Sequence, residues 1–269
     1  MNRTELYLKR SVVAKRDGEE IINRIRKNVQ WMEHSKVLDV GCGPGNVTHD
    51  LLLPMLPDST EIFGIDKSFE VIQYANERYG KKSKMTFRQM DIALDTSALA
   101  EYNEYFDYIF SFYCFHFILD ARSALKNIYK LLKPGGEFLF TFIVSGNYQE
   151  LHDRISNTQR WGTYISKYNE TFLFLPENQR KDFEDVIGNV GFEVIDIYVE
   201  PKEYSFPLAV VPEFAFSHFP YQIPENLKDE FALSIMDTIK EMEFHCIEEG
   251  KEYFCCKYEM LFAHIKKPM

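Results

Sequence analysis

A glycine-rich turn follows a short apolar segment early in the sequence. Residues 36–40 read KVLDV, and Gly41, Gly43 and Gly45 come directly after them at alternate positions. Glycine lets a ligand approach the backbone closely, because it has no side chain. The spacing differs from the G-x-G-x-x-G of a dinucleotide site, and no Gly-Lys-Ser/Thr follows as in a P-loop. Asp39 adds an acceptor for an ammonium or amide group, so the pattern favours an amino-acid-like ligand, with a ligand-free tight turn as the alternative.

Carboxylates also end the next two predicted strands. Asp66 ends the segment EIFGID, where it could accept hydrogen bonds from both hydroxyls of a ribose and repel a 2′-phosphate. Asp91 ends MTFRQMD, where it could accept from an adenine amino group while Ile92 packs on the ring. The alternative role is a helix cap or turn residue for Asp66 and a helix N-cap for Asp91. With the glycine turn, these residues predict a site for an adenosyl amino acid.

The segment 111–117 reads SFYCFHF and ends a fourth predicted strand. The carboxyl ends of parallel strands share one crevice, so His116 and Phe117 are expected beside the reacting group of the ligand. His116 is the candidate catalytic residue, as a general base for a hydroxyl substrate. A structural histidine packed among aromatic rings is the alternative.

These residues need a sheet that brings its strand ends together. Apolar runs and turn residues predict an alternation of strands and helices, which implies a doubly wound, mostly parallel α/β sheet with helices on both faces. A helix at 18–31 precedes the first strand, and Pro54 kinks or ends the helix that follows the glycine turn. The strands are predicted at 36–40, 61–66, 85–91, 106–113 and 137–144, with helices at 68–80, where Ser68 is the N-cap, and at 121–136.

The pattern is less regular after residue 145. A helix is predicted at 179–190 and a strand at 191–200, followed by helices broken by Pro212, Pro220 and Pro224 and by an antiparallel last strand at 252–267. We therefore expect one domain over 1–269, with 1–145 as the ligand-binding core and lid-like insertions within 146–250. Aromatic residues there could line an apolar cavity or pack the helices: Phe172, Phe174, Phe206, Phe214, Phe216, Phe219 and Tyr221.

Composition narrows the class of protein. The 269 residues are 45% hydrophobic and 27% charged, which fits one globular domain of ordinary composition. A net charge of −10 argues against a nucleic-acid partner. The N-terminus lacks an apolar signal segment and no run is long enough to span a membrane, so a cytoplasmic protein is expected. No metal site is expected, and the cysteines are expected to be reduced thiols: Cys42, Cys114, Cys246, Cys255 and Cys256.

Together these motifs resemble the seven-strand methyltransferase superfamily, over roughly residues 15–145 and with the segment 133–137, which begins Lys-Pro-Gly-Gly, as a further match. The whole chain is similar to the arthropod juvenile hormone acid methyltransferase family. The matching segments are Glu5-Leu6-Tyr7, Lys15-Arg16-Asp17, SFY-x-x-H at 111–116, Trp161, and Val190-Gly191-Phe192.

The resemblance implies a seven-stranded sheet, S-adenosylmethionine as cofactor, and O-methylation of a terpenoid carboxylic acid such as farnesoic or juvenile hormone acid. The positions it implies for the cofactor are Arg16, Asp39, Gly41, Cys42, Gly43, Asn46, Asp66, Lys67, Asp91, Ile92 and Ser111. Those it implies for the substrate are Tyr7, Ala14, Tyr113, His116, Phe117 and Trp161.

Two positions depart from the family pattern. Ala14 stands where the family has Gln, and Phe117 stands where it has Trp. Both family residues donate hydrogen bonds to the substrate carboxylate, and losing a hydrogen bond to a charged group costs about 1.5–3 kcal/mol. The alternatives are therefore a methyltransferase for another small lipid or a phenol, or a cofactor-binding protein without catalysis. The segment 111–117 also lacks the Asn/Asp-Pro-Pro-Tyr/Phe motif of nucleic-acid amino methylation.

Overall fold

The structure is a computed structural model that describes residues 3–80, 84–94, 100–118, 120–165, 179–218 and 221–269. The strands are β1 Lys36–Val40, β2 Glu61–Asp66, β3 Met85–Gln89, β4 Phe106–Phe112, β5 Leu132–Gly146, β6 Glu193–Pro207, β7 His245–Glu248 and β8 Lys251–Lys266. The α-helices are α1 Arg3–Arg10, α2 Val12–Asn28, α3 Phe69–Tyr79, α4 Ala121–Leu131, α5 Asn147–Ser156, α6 Gln179–Val190, α7 Val211–His218 and α8 Lys228–Lys240.

One sheet contains all eight strands of the described residues. Its order is β3-β2-β1-β4-β5-β8-β6, and the short β7 pairs with β8 off this path. The pairs β1–β2, β1–β4, β2–β3 and β4–β5 are parallel, whereas β7–β8 is antiparallel. The predicted mostly parallel sheet with an antiparallel strand is confirmed. Seven strands form the main path, and β7 is an addition that the sequence did not predict.

Strands β1 and β4 lie at the centre of the sheet because both of their faces are apolar. All seven residues of β4 are buried, as are four of the five residues of β1. Continuous apolar runs of this kind are typical of parallel strands covered on both sides. The residues that follow β1 and β4 therefore leave the sheet side by side, from its buried centre.

Two predicted helices have different limits in the structure. Helix α2 begins at Val12 and ends at Asn28, whereas the sequence predicted 18–31. Helix α4 ends at Leu131, and residues 132–136, predicted as helix, belong to β5. Pro134 accounts for the end of the helix before it, because a proline disfavours helical backbone at the preceding residue, Lys133, and has no N–H to continue the helix. Leu132 is already extended, with ψ 138°.

Two predictions for the second half of the chain are wrong. Pro212 does not break a helix, since it lies at the second position of α7, where a missing N–H is tolerated. The cysteines are not all thiols, because Cys246 and Cys255 form a disulfide. The β7–β8 hairpin brings their Cα atoms to 6.5 Å, within disulfide reach, and this hairpin was not predicted.

The chain divides into two compact units. One comprises Met1–Ser11, Ile143–Phe172 and Glu200–Met260, and the other comprises Val12–Phe142, Leu173–Val199 and Leu261–Met269. The glycine turn and the 111–117 segment both belong to the second of these, which we call the core unit. Among the described residues, no helix is long and apolar enough to cross a membrane.

Candidate active site

The glycine turn begins where β1 ends. The backbone N–H groups of Gly41 and Cys42 both donate to the Ile65 carbonyl of β2, at 2.8 and 3.0 Å. Gly41, Gly43 and Gly45 have φ angles of 73°, 55° and 81°, in the left-handed region that favours glycine. The alternating glycines of the sequence therefore correspond to three left-handed residues in one turn.

Gly41 and Gly43 differ in what surrounds them. A Cβ atom on Gly41 would lie 2.2 Å from Cys114 Sγ, so the backbone of the turn packs directly on the segment after β4. A Cβ atom on Gly43 would have nothing within 4 Å beyond its chain neighbours in the described part of the chain. Gly41 is thus required for internal packing, whereas the space beside Gly43 is open to a ligand.

Asp66, at the end of β2, is tied to the glycine turn. Its Oδ2 accepts from the Gly43 N–H at 3.1 Å, and its Oδ1 accepts from the Ser68 N–H at 2.9 Å. Burial raises the pKa of Asp66, while these two hydrogen bonds oppose the rise. Ser68 occupies the predicted N-cap position of α3, but its side chain makes no capping bond. The backbone N–H of Ser68 instead orients Asp66.

Asp39 is buried at the base of the turn. Its carboxylate accepts from the Thr48 hydroxyl at 2.6 Å, which joins β1 to the π-helical turn Thr48–Leu52. Burial raises the pKa of Asp39 to about 7, and the Thr48 hydrogen bond opposes this rise. The arrangement gives Asp39 a structural contact, and its expected contact with a ligand stays a prediction.

Asp91 and Ile92 follow β3. The Asp91 carboxylate accepts from the Ala93 N–H at 3.0 Å, a contact within the turn that follows β3. Ile92 is buried, and its carbonyl accepts from the Asn127 side chain at 2.9 Å. Asn127 also donates to the Leu94 carbonyl, so it holds this loop from α4. Sequence reasoning missed Asn127, although a polar residue on the apolar face of a helix was a visible signal.

Tyr113 is the first residue after β4, and it has a φ of 55°, which is uncommon for a residue with a side chain. Its N–H donates to the Thr141 carbonyl of β5 at 3.0 Å. Its hydroxyl donates to Oδ2 of Asp17, a fully buried residue of α2. Arg16 Nε donates to the other Asp17 oxygen at 2.8 Å. Asp17 was not among the predicted site residues.

His116 and Phe117 lie in a 3-10 turn, Phe115–Phe117. His116 is buried, with its ring 4.2 Å from that of Phe117 and edge-on to Tyr113 at 6.1 Å between centroids. Ser111 is buried within β4, and its hydroxyl donates to the Val40 carbonyl at 2.8 Å. The structure thus brings His116, Phe117 and Tyr113 together, and it gives Ser111 a contact between two strands.

The other predicted site residues divide between the two units. In the core unit, Ala14 and Asn46 are half-buried and Lys67 is exposed. In the other unit, Tyr7 packs on His218 with ring centroids 4.8 Å apart, and Trp161 is buried with its indole N–H donating to Ser234 at 3.1 Å. The substrate roles of these residues stay predictions.

The aromatic residues expected to form a lid pack against other aromatic rings where they are described. The ring of Phe206 lies 4.8 Å from that of Phe214, and the rings of Phe216 and Tyr221 lie 5.7 and 5.4 Å from that of Phe231. These contacts agree with the alternative role of packing the helices. Phe172, Phe174 and Phe219 lie outside the described residues.

Known proteins are similar to this chain in sequence. Residues 32–201 match the family model described as a methyltransferase domain. Juvenile hormone acid O-methyltransferase of Drosophila melanogaster is 26% identical, over 99% of this chain and 93% of its own length. The enzyme of the same name from Bombyx mori is 28% identical, over 90% and 87% respectively.

A solved structure shows the same fold. Phosphoethanolamine N-methyltransferase 2 of Haemonchus contortus, in complex with S-adenosyl-L-methionine, aligns with a TM-score of 0.53 at 18% identity, over 100% of this chain and 60% of its own. The two insect enzymes and the family match confirm the resemblance found in the sequence motifs. The chain belongs to the methyltransferase-domain family.

Proposed function

We propose that this chain transfers the methyl group of S-adenosylmethionine to the carboxylate of a small terpenoid acid, such as farnesoic or juvenile hormone acid. The observation that carries the proposal is the Asp66 carboxylate, fixed by two backbone N–H groups beside the open space at Gly43. The juvenile hormone acid O-methyltransferases of two insects, similar over most of their length, support the acceptor class.

The residues of the core unit fit this cofactor. Asp66 would accept from the ribose hydroxyls, and the missing side chain at Gly43 leaves room for the adenosyl group beside the turn. Asp91, with Ile92, would bind the adenine, and Arg16, Asn46 and Lys67 complete the proposed site. When bound, the sulfonium supplies an electrophilic methyl group. The protein's own task is then to place an acceptor oxygen in line and exclude water.

The acceptor determines what His116 must do. A carboxylate is already a nucleophile, so His116 has only to orient it by donating a hydrogen bond. A phenol must lose a proton, and His116 would then be the general base. Ala14 and Phe117 have no donor group in their side chains, and this favours testing phenols and other lipid acids beside the terpenoid acids.

The test is transfer of a labelled methyl group from S-adenosylmethionine to a panel of acceptors. The panel contains farnesoic acid, juvenile hormone acid, a straight-chain fatty acid, a phenol and a short DNA duplex. The proposal expects saturable binding of S-adenosylmethionine and transfer of its labelled methyl group to a terpenoid acid. Methyl transfer to the phenol alone would contradict the proposal that the acceptor is a carboxylic acid. Tight cofactor binding with no turnover on any acceptor would indicate a binding protein.

The proposal extends to the organisation and location of the protein. Residues 1–145 would form the cofactor-binding core, and 146–250 would hold the substrate-binding insertions, with Tyr7 and Trp161 contacting the acceptor. The small acceptor would be its partner, without nucleic acid. A cytoplasmic location is part of the same proposal, and cell fractionation with an antibody against the chain tests it.

A further inference from the structure

A buried carboxylate outside the proposed cofactor contacts is connected to the segment after β4. Asp17 is 0% exposed, and each of its two oxygens accepts a hydrogen bond. Oδ1 accepts from Arg16 and Oδ2 from the Tyr113 hydroxyl. The charge of a buried carboxylate requires such partners, and Arg16 supplies the opposite charge.

Tyr113 adopts a backbone conformation that its side chain disfavours. Residues with a side chain keep a φ near +55° only where the surrounding structure holds them there. Contacts from both sides hold Tyr113: Thr141 of β5 accepts from its backbone N–H, and Asp17 of α2 accepts from its hydroxyl. Strained residues of this kind are concentrated at functional sites.

The residues that follow Tyr113 belong to the proposed active site. Cys114 packs against Gly41 of the glycine turn, and His116 lies edge-on to the Tyr113 ring. The conformation of Tyr113 therefore sets the direction of the whole 113–117 segment.

We propose that Asp17 is a positioning residue for methyl transfer, which acts through Tyr113 by fixing the 113–117 segment beside the glycine turn. This inference rests on the proposed function for its catalytic consequence. The hydrogen-bond network and its effect on the segment can be tested without turnover.

The variants are Tyr113→Phe, Asp17→Asn and the double variant. Glu20→Gln is the matched control, since Glu20 is an exposed carboxylate of the same helix. Tyr113→Phe removes one hydroxyl and keeps the ring, so it reports on the network even if Asp17→Asn fails to fold. Each variant is compared by kcat and KM for the acceptor, by the Kd for S-adenosylmethionine, and by amide hydrogen exchange of residues 113–117.

We expect each single variant to lower kcat by about tenfold, the loss of one hydrogen bond to a charged group. The change in the cofactor Kd should be much smaller in Tyr113→Phe, which leaves the pair of Arg16 with Asp17 intact. The double variant should be no worse than the poorer single variant, because both changes break the same contact. Exchange at 113–117 should accelerate in all three and stay unchanged in Glu20→Gln.

Unchanged exchange at 113–117 in Tyr113→Phe would overturn the inference, whether or not the wild-type chain turns over. Accelerated exchange with an unchanged kcat would also overturn it, because the segment would then be held without consequence for transfer. A wild-type chain that is inactive on every terpenoid acid contradicts the proposed function instead. In that case kcat is measured with whichever acceptor the panel identifies. If the panel identifies no acceptor, hydrogen exchange at 113–117 alone decides whether Asp17 holds the segment.

Discussion

The chain leaves two neighbouring strands, β1 and β4, through left-handed backbone, but it does so with different residues. After β1 the left-handed positions are glycines, and the contacts are backbone N–H groups donating to Ile65 and Asp66. After β4 the left-handed residue is Tyr113, which side chains from α2 stabilise. The proposed cofactor end of the site is therefore built from backbone geometry, and the proposed acceptor end from a side-chain network that a single substitution can alter.

The largest effect is expected at the glycine turn, from Gly41→Ala. The new Cβ would overlap Cys114 Sγ, and overpacking of this kind costs about 1–3 kcal/mol. Left-handed backbone adds about 1–2 kcal/mol for a residue with a side chain. We expect loss of cofactor binding together with a large fall in the melting temperature, measured by calorimetry and thermal unfolding.

Gly43→Ala is the matched control for that change. Its Cβ has space, so we expect only the backbone cost of about 1–2 kcal/mol in stability, yet a clear loss of affinity for S-adenosylmethionine. If Gly43→Ala binds the cofactor as tightly as the wild type, the ligand does not occupy the space beside Gly43.

The next effect concerns Asp66, whose carboxylate we propose accepts from two ribose hydroxyls. Each lost hydrogen bond to a charged group costs about 1.5–3 kcal/mol, so Asp66→Ala should raise the cofactor Kd by about 100-fold or more. Isothermal titration calorimetry measures this. Asp66→Asn keeps the side-chain volume, and its Kd should lie between those of the wild type and of Asp66→Ala. An unchanged Kd in Asp66→Ala would contradict the cofactor site.

The raised pKa of Asp39, at the base of the glycine turn, predicts that the free energy of unfolding depends on pH. Because burial raises its pKa from 3.8 to about 7, the folded protein binds more protons than the unfolded chain between these pH values. This contribution to stability is present below about pH 4 and is lost as the pH rises towards 7, by at most about 1.4 kcal/mol per pH unit.

Asp39→Asn keeps an acceptor for Thr48 and removes the titration. Denaturant unfolding at several pH values should therefore show a flatter profile between pH 4 and 7 in the variant. Profiles of equal slope for the two proteins would show that Asp39 titrates normally.

The smallest effect is expected at the acceptor end, from restoring the two missing donors. Ala14→Gln with Phe117→Trp should raise kcat/KM on farnesoic acid by about tenfold for each donor that reaches the carboxylate. Each single variant is the control for the other. If the double variant gains nothing on farnesoic acid, then Ala14 and Phe117 do not limit carboxylate binding.

The same contrast explains what the sequence could predict. Strands β1 and β2 were predicted with their observed limits. Their apolar runs end at Gly41 and at Asp66, and residue type alone marks these two ends. The network of Asp17 with Tyr113 joins residues 96 positions apart, and no local pattern signals such a contact. The β7–β8 hairpin was missed for a related reason, since its first strand has only four residues and two of them are exposed.

The packing of Cys114 on Gly41 has a consequence for the protein's own chemistry. A sulfonium donor can alkylate any thiolate close to it, and Cys42 and Cys114 both belong to the turns of this site. Burial raises the pKa of Cys114 to about 12 and that of Cys42 well above its ordinary value. We therefore expect both thiols to stay protonated at neutral pH, so that neither would present a nucleophilic thiolate to a cofactor bound at the proposed site.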